Sequence, residues 1–418
     1  MVAASVQQVR RMPVAPSSPV NRLLAGRSLR AFGDGCVSLL LPFYLTDCGF
    51  TPLQIGILIT ATLLGSGLLT LFAGLVAHRY HGHTLLVAAS LLMIATGAAF
   101  SMVTEFWPLL IVAFLGTLNP SSGDVSVFLP LEQAMLAHAA SPHNRTLLFA
   151  RYSLFAALAG AVGAQAAGLP AFALELGATP RFAMQCMFWL YAALGLFILL
   201  LYRDLDPGIG AESAKRAQPL QESRRTVYRL AALFSLDSFA GGFAVQSLLA
   251  LWLAQRHGVA LATTATIFFW IGLLAAFSQL ASARLAQRIG LVNTMVYTHL
   301  PANIFLVAVP FMPTLGSALV CLLIRSALSQ MDVPARTSYV MAVVSPAERA
   351  AAASVTAVPR SLAAAVSPGL AGYLLAMSPF GTPLIVCGVL KITYDLLLLK
   401  LFRQLKPPEE AAGDGPRS

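Results

Sequence analysis

Ionisable side chains stand inside long apolar stretches at four places in the sequence. In chain order they are Asp34; Asp124 and Glu132; Asp237; and Arg325, Asp332 and Arg336. A charge at the centre of a bilayer costs about 2.5–3.5 kcal/mol or more, so each of these groups needs a partner or a function if the stretches cross a membrane. Carboxyl groups in such surroundings can exchange protons, and arginine can bind carboxylates or an anionic solute.

Two of the carboxyl groups lie in similar local sequences. Asp34 is part of FGDGCVS and Asp237 is part of FSLDSFAGG, so small residues flank both. A low-dielectric environment favours the neutral form of a carboxyl group unless a cation lies near, which suits proton coupling. The alternative is structural, namely a carboxylate that hydrogen-bonds to the backbone and fixes helix packing.

The richest cluster is a polar stripe near the C-terminal third of the chain. Arg325, Ser329, Asp332 and Arg336 recur at i, i+4, i+7 and i+11, which places them on one face of a helix. Asp332 between two arginines is either half of a structural ion pair or a substrate contact. Arg325 lies deepest in its apolar stretch, and its planar guanidinium suits an anionic or carboxylate-bearing substrate.

The elements that must position these residues are membrane helices. The chain has 418 residues, of which 57% are hydrophobic and 11% charged, whereas a soluble domain carries about a quarter charged residues. Twelve apolar stretches, called spans 1 to 12 here, lie between Leu23 and Phe402, and a bilayer needs roughly 20 apolar residues per helix. Helices are expected because backbone groups in hydrocarbon must pair within their own segment.

The net charge of +10 is explained by its distribution. With the N-terminus in the cytoplasm, most arginines and lysines of the loops fall on the cytoplasmic side, and only Arg181 and Arg256 fall in loops on the other side. This asymmetry follows the positive-inside rule and needs no nucleic-acid partner. The sequence therefore predicts a multi-pass protein of the inner (plasma) membrane with both termini in the cytoplasm.

An internal repeat divides the chain into two halves. The segment from Pro130 aligns without a gap with the segment from Pro334, so that Ser141-Pro142 meets Ser345-Pro346. The predicted units are a tail (1–22), a first six-helix half (23–202), a linker (203–227), a second six-helix half (228–404) and a second tail (405–418). Parallel halves of this kind place a substrate site between them near the bilayer midplane.

The fourth span contains a break, NPSSGDVSVFLPLEQ, from Asn119 to Gln133. A break at membrane depth is tolerated only where it faces protein or a water-filled cavity, so Asp124 is expected at the substrate site. Glu132 lies two turns further on and aligns with Arg336 of the other half. An ion pair between Glu132 and Arg336 is predicted to act as a gate between the halves.

The loop after span 2 and its counterpart resemble those of the major facilitator superfamily. The first reads GLVAHRYHGH and keeps Arg79, whereas His78 stands where the family has an acid; the second reads ARLAQRIGLV and keeps Arg288. The resemblance implies a fold of twelve transmembrane helices in two pseudo-symmetric halves, with spans 1, 4, 7 and 10 around a central cavity. It also implies a gating role for Arg79 and Arg288, and Asp34 looks like the coupling acid of the family's proton-linked exporters.

Spans 1, 4, 7 and 10 carry the ionisable residues, while spans 2, 3, 8 and 9 carry essentially none. With the resemblance, this distribution predicts a secondary active transporter, working by alternating access as a monomer, with protons and a small solute as partners. Proton-coupled export of amphipathic compounds is the first expectation, and proton-coupled uptake of an anionic metabolite is the alternative. A non-transporting scaffold or sensor is the third; its mark is that all buried charges pair internally. The sequence suggests no enzyme activity, metal site or cofactor.

Overall fold

The chain forms a bundle of α-helices, seen in a computed structural model that describes residues 19–76, 80–121, 126–139, 145–205, 220–221, 223–345 and 348–403. Its helices are α1 Pro19–Asp47, α2 Pro52–Val76, α3 Gly82–Met102, α4 Phe106–Leu115, α5 Phe128–Ala139, α6 Arg145–Ala166, α7 Pro170–Glu175, α8 Pro180–Arg203, α9 Arg224–Gly242, α10 Gln246–His257, α11 Leu261–Ile289, α12 Leu291–Ala308, α13 Leu315–Ser329, α14 Asp332–Ala342, α15 Arg349–Met377 and α16 Thr382–Phe402. No strand occurs in the described residues. The all-α fold class is therefore confirmed.

Eight helical stretches of the described chain are long and apolar enough to cross a membrane. They are 52–76, 82–102, 148–175, 180–203, 224–257, 261–289, 291–311 and 315–342. When α4 with α5, α9 with α10 and α13 with α14 are each counted once and the short α7 is set aside, the described helices form twelve segments in the predicted order. The crossing of a membrane by all twelve stays a prediction, as do the boundaries of the predicted units.

Three of these segments are interrupted where polar residues gather. α4 ends at Leu115 and α5 begins only at Phe128, so the break of span 4 is longer than a kink. Within it, the side-chain oxygen of Asn119 accepts hydrogen bonds from the backbone N–H and the hydroxyl of Ser121, which compete with helix formation. In span 10, Ser282 Oγ donates to the Met331 carbonyl at the junction of α13 and α14.

Small residues let the helices approach closely. A Cβ atom added to Gly35 on α1 would lie 2.1 Å from the Gly160 carbonyl oxygen on α6, so these backbones are almost in contact. Between the halves, a Cβ on Gly56 of α2 would lie 2.9 Å from Gly372 Cα of α15. The bundle thus depends on small residues where helices cross, as expected for helices that pack without a hydrophobic driving force.

The two ends of the bundle differ in their contacts between the halves. We call the end where α1 starts and α8, α9 and α16 meet the linker region the linker end, and the opposite one the far end. Among the described residues, the hydrogen bonds between the halves lie in the far-end part: Ser247 Oγ to the Ser38 carbonyl (2.5 Å) and the Pro120 carbonyl (2.8 Å), Gln246 to Ser38 (2.9 Å), Gly369 N to Thr60 (2.9 Å) and Gln165 to Thr266 (3.3 Å). The halves are therefore held together at the far end.

Candidate functional site

The first half contains a buried ion pair between α1 and α5. The Arg30 guanidinium contacts both carboxylate oxygens of Glu132, with Nη2 at 3.0 Å from Oε2. Tyr202 donates to Oε1 at 2.6 Å, and the Tyr152 hydroxyl donates to Oε2. The Arg30 guanidinium also lies over the Phe128 ring. Because this bidentate pair also receives two hydroxyl donors, Glu132 is fully satisfied at zero exposure.

Asp34 lies one turn beyond Arg30 on α1 and is also buried. The Asn119 side chain acts on this carboxyl group, so the break of span 4 contributes to its surroundings. Asp34 Oδ1 has no hydrogen-bond partner among the described residues. A buried carboxyl group with one unsatisfied oxygen has room for a proton or a further donor.

The second half contains a larger network around Asp237 on α9. The Lys391 ammonium of α16 lies 2.6 Å from Asp237 Oδ1, and Arg336 Nη2 of α14 lies 3.0 Å from Oδ2. Arg336 also pairs with Asp332, four residues earlier on the same helix. Asp332 is the first residue of α14, where the helix dipole favours a negative charge. The predicted polar stripe therefore includes a structural ion pair between Asp332 and Arg336.

A further helix, α12, and a second residue of α16 also contribute to this network, and the sequence did not predict either of them. His299 of α12 lies 2.8 Å from Asp395 of α16 through Nδ1, and Asn303 donates to the other Asp395 oxygen at 2.9 Å. The statement that span 9 carries essentially no ionisable residue is thus corrected by the buried His299. A signal was available, since the pairs His299 with Asn303 and Lys391 with Asp395 are each spaced by four residues, on one helix face.

Arg325 differs from all these charges in lacking an acid. No carboxylate of the described residues lies within ion-pair distance of its guanidinium. Its buried Nε has no hydrogen-bond partner among the described residues, as is also true of the Nε atoms of Arg30 and Arg336. The side chain is partly exposed, whereas Asp332 and Arg336 are sealed. Val320, which is 55% exposed, lies well round the helix from Arg325, so the guanidinium is not on the most exposed face of α13.

The predicted ion pair between Glu132 and Arg336 is absent in this structure. Glu132 pairs with Arg30 and Arg336 pairs with Asp237 and Asp332, so each charge is neutralised within its own half. The sequence indicated equal depth and opposite charge for the two residues. It did not reveal that Glu132 has a nearer partner on α1, or that Arg336 has nearer partners on α9 and one turn earlier on α14. Their gating role stays a prediction.

The remaining predicted site residues are placed as follows. Asp124 and Arg79 lie outside the described residues. Arg288 is exposed in the last turn of α11, at the linker end. Within the described part of the chain, no group of three His, Cys, Asp or Glu residues could hold a metal ion.

A separate apolar cavity of about 510 Å³ opens at the far end. Its walls come from both halves, with Phe43, Leu174 and Met184 from the first and Leu251 and Leu261 from the second. Thr46, Asp47 and Gln255 are its polar residues. The volume falls in the range of small-molecule sites.

Known proteins share this sequence pattern and this fold. The chain is 25% identical to the uncharacterized membrane protein YJR124C of Saccharomyces cerevisiae over 92% of its own length and 94% of the yeast protein. Among solved structures, it resembles a bacterial homologue of the human lysosomal transporter Spinster in an inward-facing, unoccupied conformation (15% identity, 91% and 94% coverage, TM-score 0.69). It also resembles the nucleoside transporter NupG (14%, 92% and 99%, 0.71) and the human organic anion transporter MFSD10 (18%, 92% and 100%, 0.64). At these identities the likeness is one of fold.

A family model described as Major Facilitator Superfamily matches residues 23–331, which is well over half of the chain. The match begins at the start of the predicted first half and reaches the junction of α13 and α14. It agrees with the resemblance of the loops after spans 2 and 8, and with a helical bundle built from two similar halves. The chain is therefore a member of the Major Facilitator Superfamily, a family of secondary transporters.

Proposed function

We propose that this secondary transporter is coupled to protons and moves a small solute that carries an anionic group. The observation that carries the proposal is the Arg325 guanidinium, which has no acid partner among the described residues. The side chain is partly exposed and has no acid among the described residues, so its planar guanidinium is available to bind an anionic ligand during the cycle. Its position on α13, in span 10, agrees with a helix that lines the central cavity.

The ion pairs alone would fit a sealed scaffold equally well. Arg30 with Glu132, and Asp237 with Lys391 and Arg336, are closed within their own halves. Arg325 breaks this pattern because no described acid neutralises it. A transporter therefore accounts for one feature that a scaffold leaves unexplained.

Asp34 is our candidate for the proton site of the first half. Its carboxyl group is buried near the middle of α1, with one oxygen unsatisfied and Arg30 one turn away. A proton on this carboxyl group removes a buried negative charge and weakens its electrostatic attraction to Arg30. Proton binding at Asp34 can therefore bias the equilibrium between two arrangements of the first half.

Alternating access in this proposal moves the halves around these clusters. The basic loops support a cytoplasmic linker end, and the hydrogen bonds between the halves at the far end support a state that is closed to the outside. In the opposite state the linker end closes, and Glu132 and Arg336 approach each other. Arg30 and Asp237 then lose Glu132 and Arg336 as partners, so closing of the linker end is coupled to the ion pairs inside each half.

The first test is a binding screen followed by transport. The purified protein is tested for thermal stabilisation by a library of metabolites and drugs, and compounds that stabilise it are assayed in proteoliposomes with and without an imposed pH gradient. We expect stabilising compounds to be enriched in carboxylates and other anions, and accumulation to require the gradient. Stabilisation by cations or neutral compounds alone would contradict the anion site.

A second candidate function is export of amphipathic compounds, as first expected from the sequence. The apolar cavity at the far end favours it, because walls from both halves would suit the apolar body of such a compound. Accumulation of fluorescent amphipathic dyes in cells that express the protein, with and without a protonophore, tests this candidate. Export predicts lower accumulation than in control cells and recovery of the signal when the protonophore is added.

A further inference from the structure

Asp237 Oδ1 faces ionisable groups from two different helices. The Lys391 ammonium on α16 lies 2.6 Å from this oxygen, and His299 Nε2 on α12 lies 4.0 Å from the same atom. Arg336 uses the other oxygen, Oδ2. One cation thus contacts Oδ1 while a second ionisable group lies within reach of it.

The opposite side of the imidazole ring also meets a carboxylate. His299 Nδ1 lies 2.8 Å from Asp395 Oδ1, and the Asn303 amide holds the other oxygen of Asp395. His299 and Asp395 are both buried. An imidazole between two carboxylates is a suitable proton-binding site, because the protonated ring can donate from both nitrogens.

The charges around the ring favour such a proton. The charged and titratable groups of the neighbouring helices are Asp237 on α9, Arg325 on α13, Asp332 and Arg336 on α14, and Lys391, Tyr394 and Asp395 on α16. Arg336 and Lys391 are the described arginine and lysine in ion-pair contact with these aspartates, and Arg325 makes no such contact. Among the groups in contact, the three aspartates therefore exceed the two cations by one negative charge when His299 is neutral. One proton on His299 balances it, which matters where an uncompensated charge is costly.

Lys391 is placed to serve a second partner. It follows Cys387 by one helical turn on α16, and both Lys391 and Arg325 act electrostatically on the buried Cys387 thiol. Lys391 acts on this thiol from the same helix, and Arg325 acts on it from α13. Arg325 has no described acid, whereas Lys391 is held by Asp237.

We propose that a proton bound by His299, between Asp395 and Asp237, replaces Lys391 as the partner of Asp237 Oδ1 and releases the Lys391 ammonium to bind the solute's anionic group beside Arg325. The inference rests on the proposed function and adds a proton site on α12 and α16. The proton and the anion then strengthen each other's binding. The proton on His299 frees the positive charge of Lys391, and the anion neutralises that charge. Reciprocal coupling of this kind corresponds to symport and favours uptake of the anion.

The test measures binding of two fixed-charge probes, benzoate and benzenesulfonate, by thermal stabilisation of the purified full chain. Titrations at about pH 5.5 and about pH 8 lie on either side of the range in which histidine titrates, while both probes stay ionised. The variants are His299→Gln, which cannot become charged, and Lys391→Met. His81→Gln is the matched control, because His81 is exposed near the linker end and outside the network.

The unaltered protein and His81→Gln are expected to bind the probes on the order of tenfold more tightly at the lower pH. His299→Gln should lose this pH dependence, and Lys391→Met should bind weakly at both pH values. Proton uptake on probe addition, followed with an indicator dye in weak buffer, should disappear in His299→Gln.

Two results overturn the inference while sparing the proposed function. One is probe binding that needs Arg325 but keeps its pH dependence in His299→Gln or is equal at both pH values. The other is binding of unchanged strength in Lys391→Met, which keeps His299 in place. Failure of both probes to stabilise the unaltered protein would instead contradict the anion site, and with it the proposed function.

Discussion

Glu132 and Arg336 occupy equivalent positions in the two halves, 204 residues apart, and carry opposite charges, yet each is paired inside its own half. In the first half an arginine on α1 meets a glutamate on α5, and in the second an aspartate on α9 meets an arginine on α14. The duplicated scaffold thus keeps the helix pair that forms the contact and reverses its polarity. Two like-charged positions would repel if the linker end closed, whereas these two can attract.

Substitution of Glu132 tests whether this pair is essential to the fold. Glu132→Gln leaves the buried Arg30 guanidinium without its paired carboxylate, which typically costs roughly 3–5 kcal/mol in stability. We expect a clear fall in the thermal unfolding temperature in detergent, and partial recovery in the charge-swapped double variant Arg30→Glu with Glu132→Arg.

Glu105→Gln serves as the control, because Glu105 is exposed at the far end. It should unfold at the same temperature as the unaltered chain. A Glu132→Gln protein that is as stable as this control would show that the pair contributes little.

Substitution of Asp34 tests proton coupling in the first half. Asp34→Asn keeps the size of the side chain but cannot lose a proton, so gradient-driven accumulation in proteoliposomes should be abolished. Exchange of labelled for unlabelled solute, which needs no net proton movement, should continue. Glu175→Gln, at an exposed position of α7, should leave both activities intact. Accumulation by Asp34→Asn at the level of the unaltered protein would remove Asp34 from the coupling mechanism.

The far-end contact between the halves can be tested by cross-linking. Gln165 of α6 and Thr266 of α11 are in side-chain contact at 3.3 Å, so cysteines at both positions should be joined by a short dithiol linker under oxidising conditions, in a background without the five native cysteines. The bridge should stop transport, because the far end can no longer open, and a reducing agent should restore it. Each single cysteine variant should transport under oxidising conditions. Full activity of the cross-linked protein would mean that the far end does not open during the cycle.

Close helix packing can be tested at two glycines. Gly35→Ala would place its Cβ against the Gly160 backbone oxygen, and such overpacking costs roughly 1–3 kcal/mol. Gly74→Ala is the matched change, because nothing lies within 4 Å of its added Cβ and alanine is the better helix former. We expect a lower unfolding temperature for Gly35→Ala only. Equal temperatures for the two variants would contradict the close approach of α1 and α6.

The sequence was sufficient to predict the helical bundle and its family, because apolar length and helical period are local or additive signals. The bounds of the two halves and the depth of the ionisable residues in a membrane stay predictions. The sequence placed Asp237 and Arg336 on helices that do meet. It could not predict that Glu132 pairs with Arg30, because the depth of a residue and its face on a helix do not specify which neighbouring helix its side chain contacts.

His299, Lys391 and Asp395 were missed for a related reason. Their spans look apolar as a whole, and the few polar residues become a network only when α12 and α16 pack against α9. Arg325 was found from the sequence, but its lack of an acid partner is a property of the packed bundle.

The most direct measurement for the anion site is transport by Arg325→Met in proteoliposomes, using an anionic solute selected by the stabilisation screen. The account predicts a loss of transport of at least about tenfold, equivalent to roughly 1.4 kcal/mol of binding free energy, with partial activity in Arg325→Lys and normal activity in Arg284→Met. Arg284 is an exposed arginine of α11 outside the described networks. Transport of the anion by Arg325→Met at the rate of the Arg284→Met control would contradict the account.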